Sequence, residues 1–346
     1  MALGYVTATD LANALLPLYT RGEALSQTME DKPLLKWFKE KQKNFPGGLN
    51  NVTQNVQGAY MSDNGAFMQG YSSDDQLQFG QAMSVVQSTA TWKEHHAGLI
   101  ITWTELKQDG ITISDNQKVT QHSEKELFVL TDILKNRIGD FNESWARAKN
   151  RLYFLDGSQD PKAMSGLKSI LTDTPTVGIT LGINRATYPW WQHRATLGLV
   201  PSAENQTVCR FFQQELRKLR QFGGKPDKAI CGSAFIQGLE TEIYAKGILT
   251  QEGFTTTKNT TFGMSEIKLL GLGTFTWDPM LDDVGEGKRC YIMDSRRLFV
   301  RPMEGEDDKM TTPPRPYNYM VFLKETTWTG TEVATQLNCH GVYSMA

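Results

Sequence analysis

The residues that could do chemistry in this chain are few and lie far apart. His95 and His96 are adjacent, and on a strand they would point to opposite faces, so they cannot bind one metal ion together. The other histidines stand alone in the sequence: His122, His193 and His340. The cysteines are widely spaced, without a C-x-x-C pair: Cys209, Cys231, Cys290 and Cys339. This spacing excludes the common zinc motifs and gives no disulfide framework, so we expect a reducing compartment.

Several short motifs begin like functional signatures without completing them. Ser233 lies in Cys-Gly-Ser-Ala-Phe, which lacks the second Gly of a nucleophile elbow. Gly271 and Gly273 precede strand-like sequence, with no third Gly to open a helix and cradle a phosphate. The acidic clusters at 282–283 and 304–308 lack the alternating spacing of a calcium loop. The sequence therefore predicts no catalytic residue, no metal site and no cofactor, and we expect that the protein is not an enzyme.

One aromatic and basic segment does stand out, from Gly182 to Trp191. It contains residue types that carry a large share of the binding energy at protein interfaces: Arg185, Tyr188, Trp190 and Trp191. Pro189 favours an extended conformation at the residue before it. The segment is consistent either with ordinary packing or with an anchor at an interface.

The elements that would position this segment are organised around a long helix, predicted from Ser123 to Asp156. Ser123 and Glu126 form a capping box at its start. Apolar residues then recur in steps of three and four: Leu127, Leu130, Leu134, Ile138, Phe141, Trp145, Ala148, Leu152 and Leu155. Lys149 is interpreted as one of the basic residues that suit the negative end of the helix dipole. At about 1.5 Å per residue such a helix is on the order of 50 Å long, which suits an extended subunit.

Before this helix, residues 1–45 read as an N-terminal arm, in which Pro33 opens a short helix. Residues 46–82 combine many amides with scattered aromatics, which favours an extended hairpin with a tip at Asn64 and Gly65. Met83 to Leu106 reads as a strand, one face of which carries apolar residues: Leu99, Ile101 and Trp103.

After the helix, residues 166–300 read as a mixed unit of helices and strands. The tail, 301–346, returns to strand, and its strands are expected to pair with the strand before the long helix. A first domain of 83–165 would then be interrupted by the second and completed by the tail.

Length and charge fit a folded protein of this kind. The chain has 346 residues, which favours about two domains, and a net charge of −2. This is not the strongly basic balance of a protein that neutralises nucleic acid with its own side chains. No signal peptide and no apolar stretch near ~20 residues is found, so we expect a soluble protein of intracellular origin with no membrane partner.

In the order of these elements, the chain resembles the major capsid proteins of tailed phages, which have the Hong Kong 97 fold. The resemblance covers nearly the whole chain and includes the helix end at Leu155-Asp156-Gly157 and the following Gly166-Leu167. Its most specific part is the run from Gly182 to Trp191, where many such sequences have Asp at the position of Asn184.

The resemblance implies an α+β fold with an N-arm (1–45), an extended hairpin or E-loop (46–82), a peripheral domain with a spine helix (83–165), an axial domain (166–300) and a return to the peripheral domain (301–346). It implies subunits that form the pentamers and hexamers of an icosahedral shell around double-stranded DNA, in a virion assembled in the host bacterial cytoplasm. No long helical leader precedes the arm, so scaffolding is expected from a separate protein, with a lost segment as the alternative. The resemblance also implies a portal as a partner. There is also room for a decoration protein, and contact with the packaged DNA is expected to be non-specific.

Within this reading we predict that a set of aromatic and basic residues contacts neighbouring subunits: Tyr60, Phe67, Tyr71, Arg185, Tyr188, Trp190 and Trp191. Some relatives join a hairpin Lys covalently to a neighbour, but no Lys occurs between Lys43 and Lys93, so no such cross-link is expected. The alternatives are an encapsulin-like compartment shell, a tail-tube or connector protein, and, from a different class, an α/β enzyme.

Overall fold

The computed structural model describes residues 31–48, 50–58, 70–76, 85–108, 124–245, 266–269, 273–314, 317 and 319–346. Several predicted features lie outside these residues: the arm before residue 31, Tyr60, Phe67, the hairpin tip at Asn64 and Gly65, and the helix cap at Ser123.

The described helices are α1 (Pro33–Lys41), α2 (Trp103–Gln108), α3 (Glu124–Phe154), α4 (Leu167–Ile170), α5 (Thr207–Arg220), α6 (Ser233–Ala245) and α7 (Pro279–Asp283). A single 3-10 turn, Pro189–Trp191, is described besides them. The helix predicted at Pro33 is therefore present. The long helix predicted from Ser123 to Asp156 is observed as α3, whose 31 residues span about 46 Å. Among the described residues, no helix combines the length and apolar character needed to cross a bilayer.

The described strands are β1 (Asn51–Gln57), β2 (Val85–Thr91), β3 (Lys93–Thr102), β4 (Ile179–Thr180), β5 (Ile183–Asn184), β6 (Arg194–Leu199), β7 (Lys228–Cys231), β8 (Glu266–Leu269), β9 (Gly273–Trp277), β10 (Arg289–Met293), β11 (Leu298–Pro302), β12 (Lys309–Thr311), β13 (Val321–Ala334) and β14 (Gly341–Met345). The predicted mixture of helices and strands is confirmed.

The strands β1 and β2 form a two-stranded antiparallel pair, from Asn51 opposite Thr91 to Gln57 opposite Val85. An extended hairpin requires an antiparallel pair, but most of the segment that would join these strands lies outside the described residues, so the hairpin stays a prediction. The strand β2 begins at Val85, beyond residue 82, where the sequence places the hairpin's end. The sequence does not locate the start of β2, because β2 and β3 are separated by one residue only, and the strand pattern continues from one to the other.

The chain forms two compact units. In its described part, the smaller unit contains residues 96–108, 124–147 and most of 308–327, and the larger unit contains the rest. The division cuts α3, β3 and β13, so it does not follow the predicted domains, whose boundaries stay a prediction.

In the smaller unit, β3 pairs with β13, as predicted for the strand before the long helix, and β12 pairs with β13 antiparallel. The prediction that strand continues to Leu106 is wrong, because β3 ends at Thr102 and α2 begins at Trp103. The backbone N–H of Thr102 donates to Glu105 Oε2 at 3.1 Å, and the N–H of Glu105 donates to Thr102 Oγ1 at 3.3 Å. This reciprocal capping box ends the strand and starts the helix.

The larger unit contains a six-stranded sheet in the order β6-β14-β10-β7-β9-β8. On one face, α5 and α6 cover an aromatic core centred on Phe212. Its ring centroid lies 5.5 Å from that of Phe275, 5.2 Å from that of Tyr343 and 6.0 Å from that of Phe235, in edge-to-face contacts. Such edge-to-face pairs add stability beyond that of the buried area.

The strand β14 corrects the expectation that the whole tail pairs near the long helix. It lies between β6 and β10, parallel to the first and antiparallel to the second. Four of its five residues are buried, a pattern that requires a sheet covered on both faces. The six-stranded sheet offers such a position.

The helix α1 is held by side chains from distant parts of the larger unit. Its N-cap residue, Lys32, makes no side-chain cap. Instead, the N–H of Leu34 donates to Asp278 Oδ2 at 3.2 Å, and the N–H of Leu35 donates to Asn150 Oδ1 at 3.1 Å. Two orphan donors of the helix start are thereby satisfied by one residue next to α7 and one in α3.

Asp278 is the centre of this network. It is fully buried and also accepts from Asn150 Nδ2 at 3.3 Å and from the N–H of Met280 at 3.0 Å. Burial raises the pKa of its carboxyl, against the hydrogen bonds from Met280, Leu34 and Asn150, which lower it.

We expect Asp278→Ala to lower the free energy of unfolding by about 2–4 kcal/mol, because it leaves buried donors without an acceptor and removes the N-cap of α7. Urea unfolding followed by circular dichroism measures this change. Asp283→Ala, an exposed Asp in the same helix, is the matched control and should stay within about 0.5 kcal/mol of the parent. Equal losses for the two variants would contradict a central role for Asp278.

Candidate subunit-contact site

The segment from Gly182 to Trp191 begins in a minimal hairpin formed by β4 and β5. Ile179 pairs with Asn184, and Thr180 pairs with Ile183. The two turn residues both have positive φ, 50° at Leu181 and 79° at Gly182. This is the pattern of a type I′ turn, for which Gly is suited and Leu is not.

The strained Leu181 is held in place by the paired strands β1 and β2. We call these strands, together with Gly58, the hairpin root. The carbonyl of Leu181 accepts from the N–H of Thr89 at 2.8 Å. Its side chain packs on a small core formed by Val52, Ala90 and Val333. The turn therefore joins β2 by both a backbone hydrogen bond and apolar contact, which offset the cost of the left-handed conformation.

The next aromatic contact also lies at the hairpin root. The indole ring of Trp190 occupies the space that a Cβ on Gly58, the residue after β1, would need. Its centroid is 5.4 Å from that of Tyr188 and 5.9 Å from that of Trp191. Gly58 is thus the residue that lets the aromatic group approach the hairpin backbone.

Arg185 belongs to the same segment, and its side chain is buried, with only 3% of the residue exposed. The side-chain Nη1 of Arg185 donates to Thr172 Oγ1, and its backbone N–H donates to the carbonyl of Gly178 at 2.9 Å. Its Nε has no hydrogen-bond partner in the described part of the chain. Among the residues that the structure describes, no carboxylate lies within salt-bridge distance of Arg185, and burial lowers the pKa of its guanidinium.

The end of the segment is fixed by buried polar contacts. Trp191 is fully buried, and its Nε1 donates to the carbonyl of Thr180 at 3.1 Å. His193 Nε2 lies 2.6 Å from the carbonyl of Thr172, so the imidazole donates there, and no described residue is a hydrogen-bond partner of its buried Nδ1. Burial lowers the pKa of His193 to about 4, opposed by the hydrogen bond to Thr172.

The predicted contact residues therefore have different environments. Arg185 and Trp191 are buried within their own subunit, Tyr188 and Trp190 are partly exposed, and Tyr71 is 69% exposed. Contact with a neighbouring subunit stays a prediction for all of them.

The residues that sequence analysis missed at this site are Gly58, Thr172 and His193. Gly58 has a usable signal, since it follows a strand directly. Thr172 and His193 carry no signal, because their roles depend on tertiary neighbours.

Elsewhere, two of the described residues considered for chemistry, His95 and Ser233, have structural partners. His95 accepts from the N–H of Met164 at 3.3 Å and stacks on Trp328, and burial lowers its pKa. Ser233 Oγ donates to Asp282 Oδ1 at 2.9 Å at the start of α6. Within the described ranges, no group of three or more His, Cys, Asp or Glu residues is placed to hold a metal ion.

Comparison with known proteins gives one kind of match. No family model matches the chain. No curated protein matches it either. Solved structures of capsids do match over nearly their whole length.

A chain of the cyanophage A-1(L) capsid asymmetric unit superposes with a TM-score of 0.66 at 13% identity, over 96% of this chain and 98% of that one. A capsid chain of Myoviridae phage XM1 gives a TM-score of 0.55 at 10% identity, over 94% and 95%. A chain from the capsid of a native GTA particle gives 0.51 at 13% identity, over 100% of both. The predicted Hong Kong 97-like fold is therefore confirmed.

Because the Trp190 ring fills the space above Gly58, we expect Gly58→Ala to lower the free energy of unfolding by about 1–3 kcal/mol. In a Trp190→Ala background the added methyl group has room, so the cost of Gly58→Ala should largely disappear. Denaturant unfolding of the parent, the two single variants and the double variant gives a double-mutant cycle, which measures the coupling energy between Gly58→Ala and Trp190→Ala.

Gly70→Ala is the matched control, because no described residue lies within 4 Å of the position that the added methyl group would occupy. Its effect should stay within about 0.5 kcal/mol. Additive effects of Gly58→Ala and Trp190→Ala would contradict the contact.

His193 gives a pH prediction whose sign follows from its lowered pKa of about 4. The unfolded chain, with an ordinary pKa of about 6.5, binds more protons than the folded chain between these values, so stability falls as the pH falls through this window. Between pH 7 and pH 5 the loss from this residue should be about 2 kcal/mol. Unfolding curves of His193→Gln, which keeps a donor for the Thr172 carbonyl, should show a loss smaller by that amount. Parallel pH dependence of variant and parent would refute the assignment.

Proposed function

We propose that this chain is the major capsid protein of a tailed bacteriophage, which self-assembles into the pentamers and hexamers of an icosahedral shell around double-stranded DNA. The observation that carries the proposal is the extent of the structural likeness. The matched capsid chains are covered over 95% or more of their own length by 94% or more of this chain. The likeness therefore extends over nearly the whole of each matched capsid chain, rather than over one domain shared by proteins of many functions.

The local structure supports such a role. Rings formed by head-to-tail contacts need two different complementary patches on each subunit. One candidate patch is the aromatic segment at the hairpin root, where Tyr188 and Trp190 are partly exposed.

The charge of the chain supports enclosure of DNA rather than binding to it. A net charge of −2 over 346 residues supplies little attraction for phosphates. The DNA is therefore expected to be driven in through a portal and to touch the shell non-specifically. A separate scaffolding protein, and a location in the virion after assembly in the host cytoplasm, follow from the same proposal.

The test is assembly of the purified full chain at increasing concentration, alone and with the assembly factors of its phage, followed by electron microscopy. We expect closed shells or rings of five and six subunits. Nucleic acid inside shells formed in cells fits the proposal, whereas packaged enzyme would favour an encapsulin-like compartment. A small, monodisperse species under all of these conditions would overturn the proposal.

Substitutions on the surface test the predicted contacts in the same assay. Tyr71→Ser removes a largely exposed ring, so stability should change by no more than about 0.5 kcal/mol. The concentration needed for assembly should rise about fivefold, which corresponds to loss of about 1 kcal/mol per contact. Tyr317→Ser, at an exposed Tyr outside the predicted set, is the matched control. Equal assembly of both variants would remove Tyr71 from the contact.

A further inference from the structure

Two of the free cysteines meet in the centre of the six-stranded sheet. Cys231 in β7 and Cys290 in β10 are directly opposite each other in the antiparallel register. Their Sγ atoms are 3.0 Å apart, and both side chains are fully buried. They lie on the face covered by α5 and α6, within the aromatic core.

The backbone geometry around this pair suits a covalent link. The next pair along the ladder is Gly232 with Arg289, and the N–H of Gly232 donates to the Arg289 carbonyl at 2.9 Å. Hydrogen-bonded and non-hydrogen-bonded pairs alternate in an antiparallel ladder, so Cys231 and Cys290 occupy a non-hydrogen-bonded pair. Cα atoms in such pairs are about 4.5 Å apart, with side chains close together. That separation lies within the range of about 4.4–6.8 Å observed for disulfides.

We propose that Cys231 and Cys290 form a redox pair, which closes into an intrachain disulfide by exchange with a small-molecule disulfide. One protein thiolate attacks the small disulfide and releases one small thiol, leaving a mixed disulfide. The second protein thiolate then attacks the protein sulfur of that mixed disulfide and releases the second small thiol. The two protein thiols are oxidised, and the small disulfide is reduced to two thiols.

Access controls when the pair can close. Burial raises the pKa of Cys290 well above its usual value, which leaves little thiolate in the folded chain. Oxidation is therefore slow in the folded protein. It is fast when the sheet forms in an oxidising medium or opens locally.

The other two cysteines do not compete for this partner. Cys209 lies in α5 beside Glu242, and burial raises its pKa to about 11. The Cys339 thiol donates to the carbonyl of Gln336, and burial raises its pKa to about 12. The register of β7 and β10 makes Cys231–Cys290 the specific pair.

A disulfide here would link the two central strands of the sheet and close a loop of about 60 residues, a length for which cross-links reduce the freedom of the unfolded chain strongly. The inference does not rest on the shell-forming role, because it concerns one subunit. If the chain failed to assemble into shells, the inferred disulfide would still stand. If the disulfide failed to form, the proposed shell-forming role would still stand.

The test is refolding of the full chain with oxidised and reduced glutathione, followed by thiol titration, intact mass and peptide mapping. We expect the four free thiols to fall to two, the mass to fall by about 2 Da, and one cross-linked peptide joining Cys231 to Cys290. The midpoint of thermal unfolding should be about 5 °C higher than that of the reduced protein.

The double variant Cys209→Ala/Cys339→Ala keeps only the proposed pair and should still lose both thiols. Cys290→Ala should form no intrachain link, and Cys209→Ala alone shows whether loss of an unrelated Cys affects folding. Four free thiols in the refolded parent, or a cross-link through Cys209 or Cys339, would overturn the proposal.

Discussion

The larger unit depends on satisfying the polar residues that the long helix buries in its last turns. Lys149 and Asn150 are almost inaccessible, yet both carry groups that need partners. The Lys149 ammonium lies 3.6 Å from an Asp307 carboxylate oxygen and 4.8 Å from the centre of the Trp328 ring. Asn150 bonds to Asp278. Segments far apart in the sequence must therefore meet at one place, and this requirement fixes how the first helix, α7 and β13 are arranged within this unit.

Tertiary contacts also fix the arrangement of distant segments at the hairpin root, where the contacts are apolar rather than polar. The β4–β5 turn adopts a conformation that Leu181 disfavours, and packing against Val52 and Ala90 compensates for it. The ring of Trp190 then contacts the backbone at Gly58. Local strain and close backbone approach are maintained because the surrounding core determines the geometry more strongly than local preference does.

Much of this arrangement follows from patterns that can be read in the sequence. The long helix is predictable because its apolar period persists over many turns. The β3–β13 pairing is predictable because a strand in the tail must join a sheet edge, and the strand before the long helix offers one. The change from strand to helix at Trp103 also has a sequence signal, because Thr102 is followed three residues later by Glu105 in a capping-box spacing. The alternation of apolar residues over the same stretch favours strand and competes with this signal.

Other features depend on tertiary context. Lys149 has the spacing of a solvated residue, and its burial follows from Asp307 and Trp328. The aromatic segment was recognised as unusual, yet the sequence could not separate buried Trp191 from partly exposed Trp190, because adjacent identical side chains carry no information about which one points inward. The opposition of Cys231 and Cys290 likewise depends on strand register, which spacing along the chain does not reveal.

The position of β14 has a consequence for synthesis in the cell. Because β14 inserts between β6 and β10, the six-stranded sheet cannot be completed until the chain has been translated past Met345, long after β6 has left the ribosome. A nascent or truncated chain would present two open strand edges, which are sites of aggregation. Completion of this sheet therefore waits until β14 has been synthesised, and products that terminate before β14 cannot complete it.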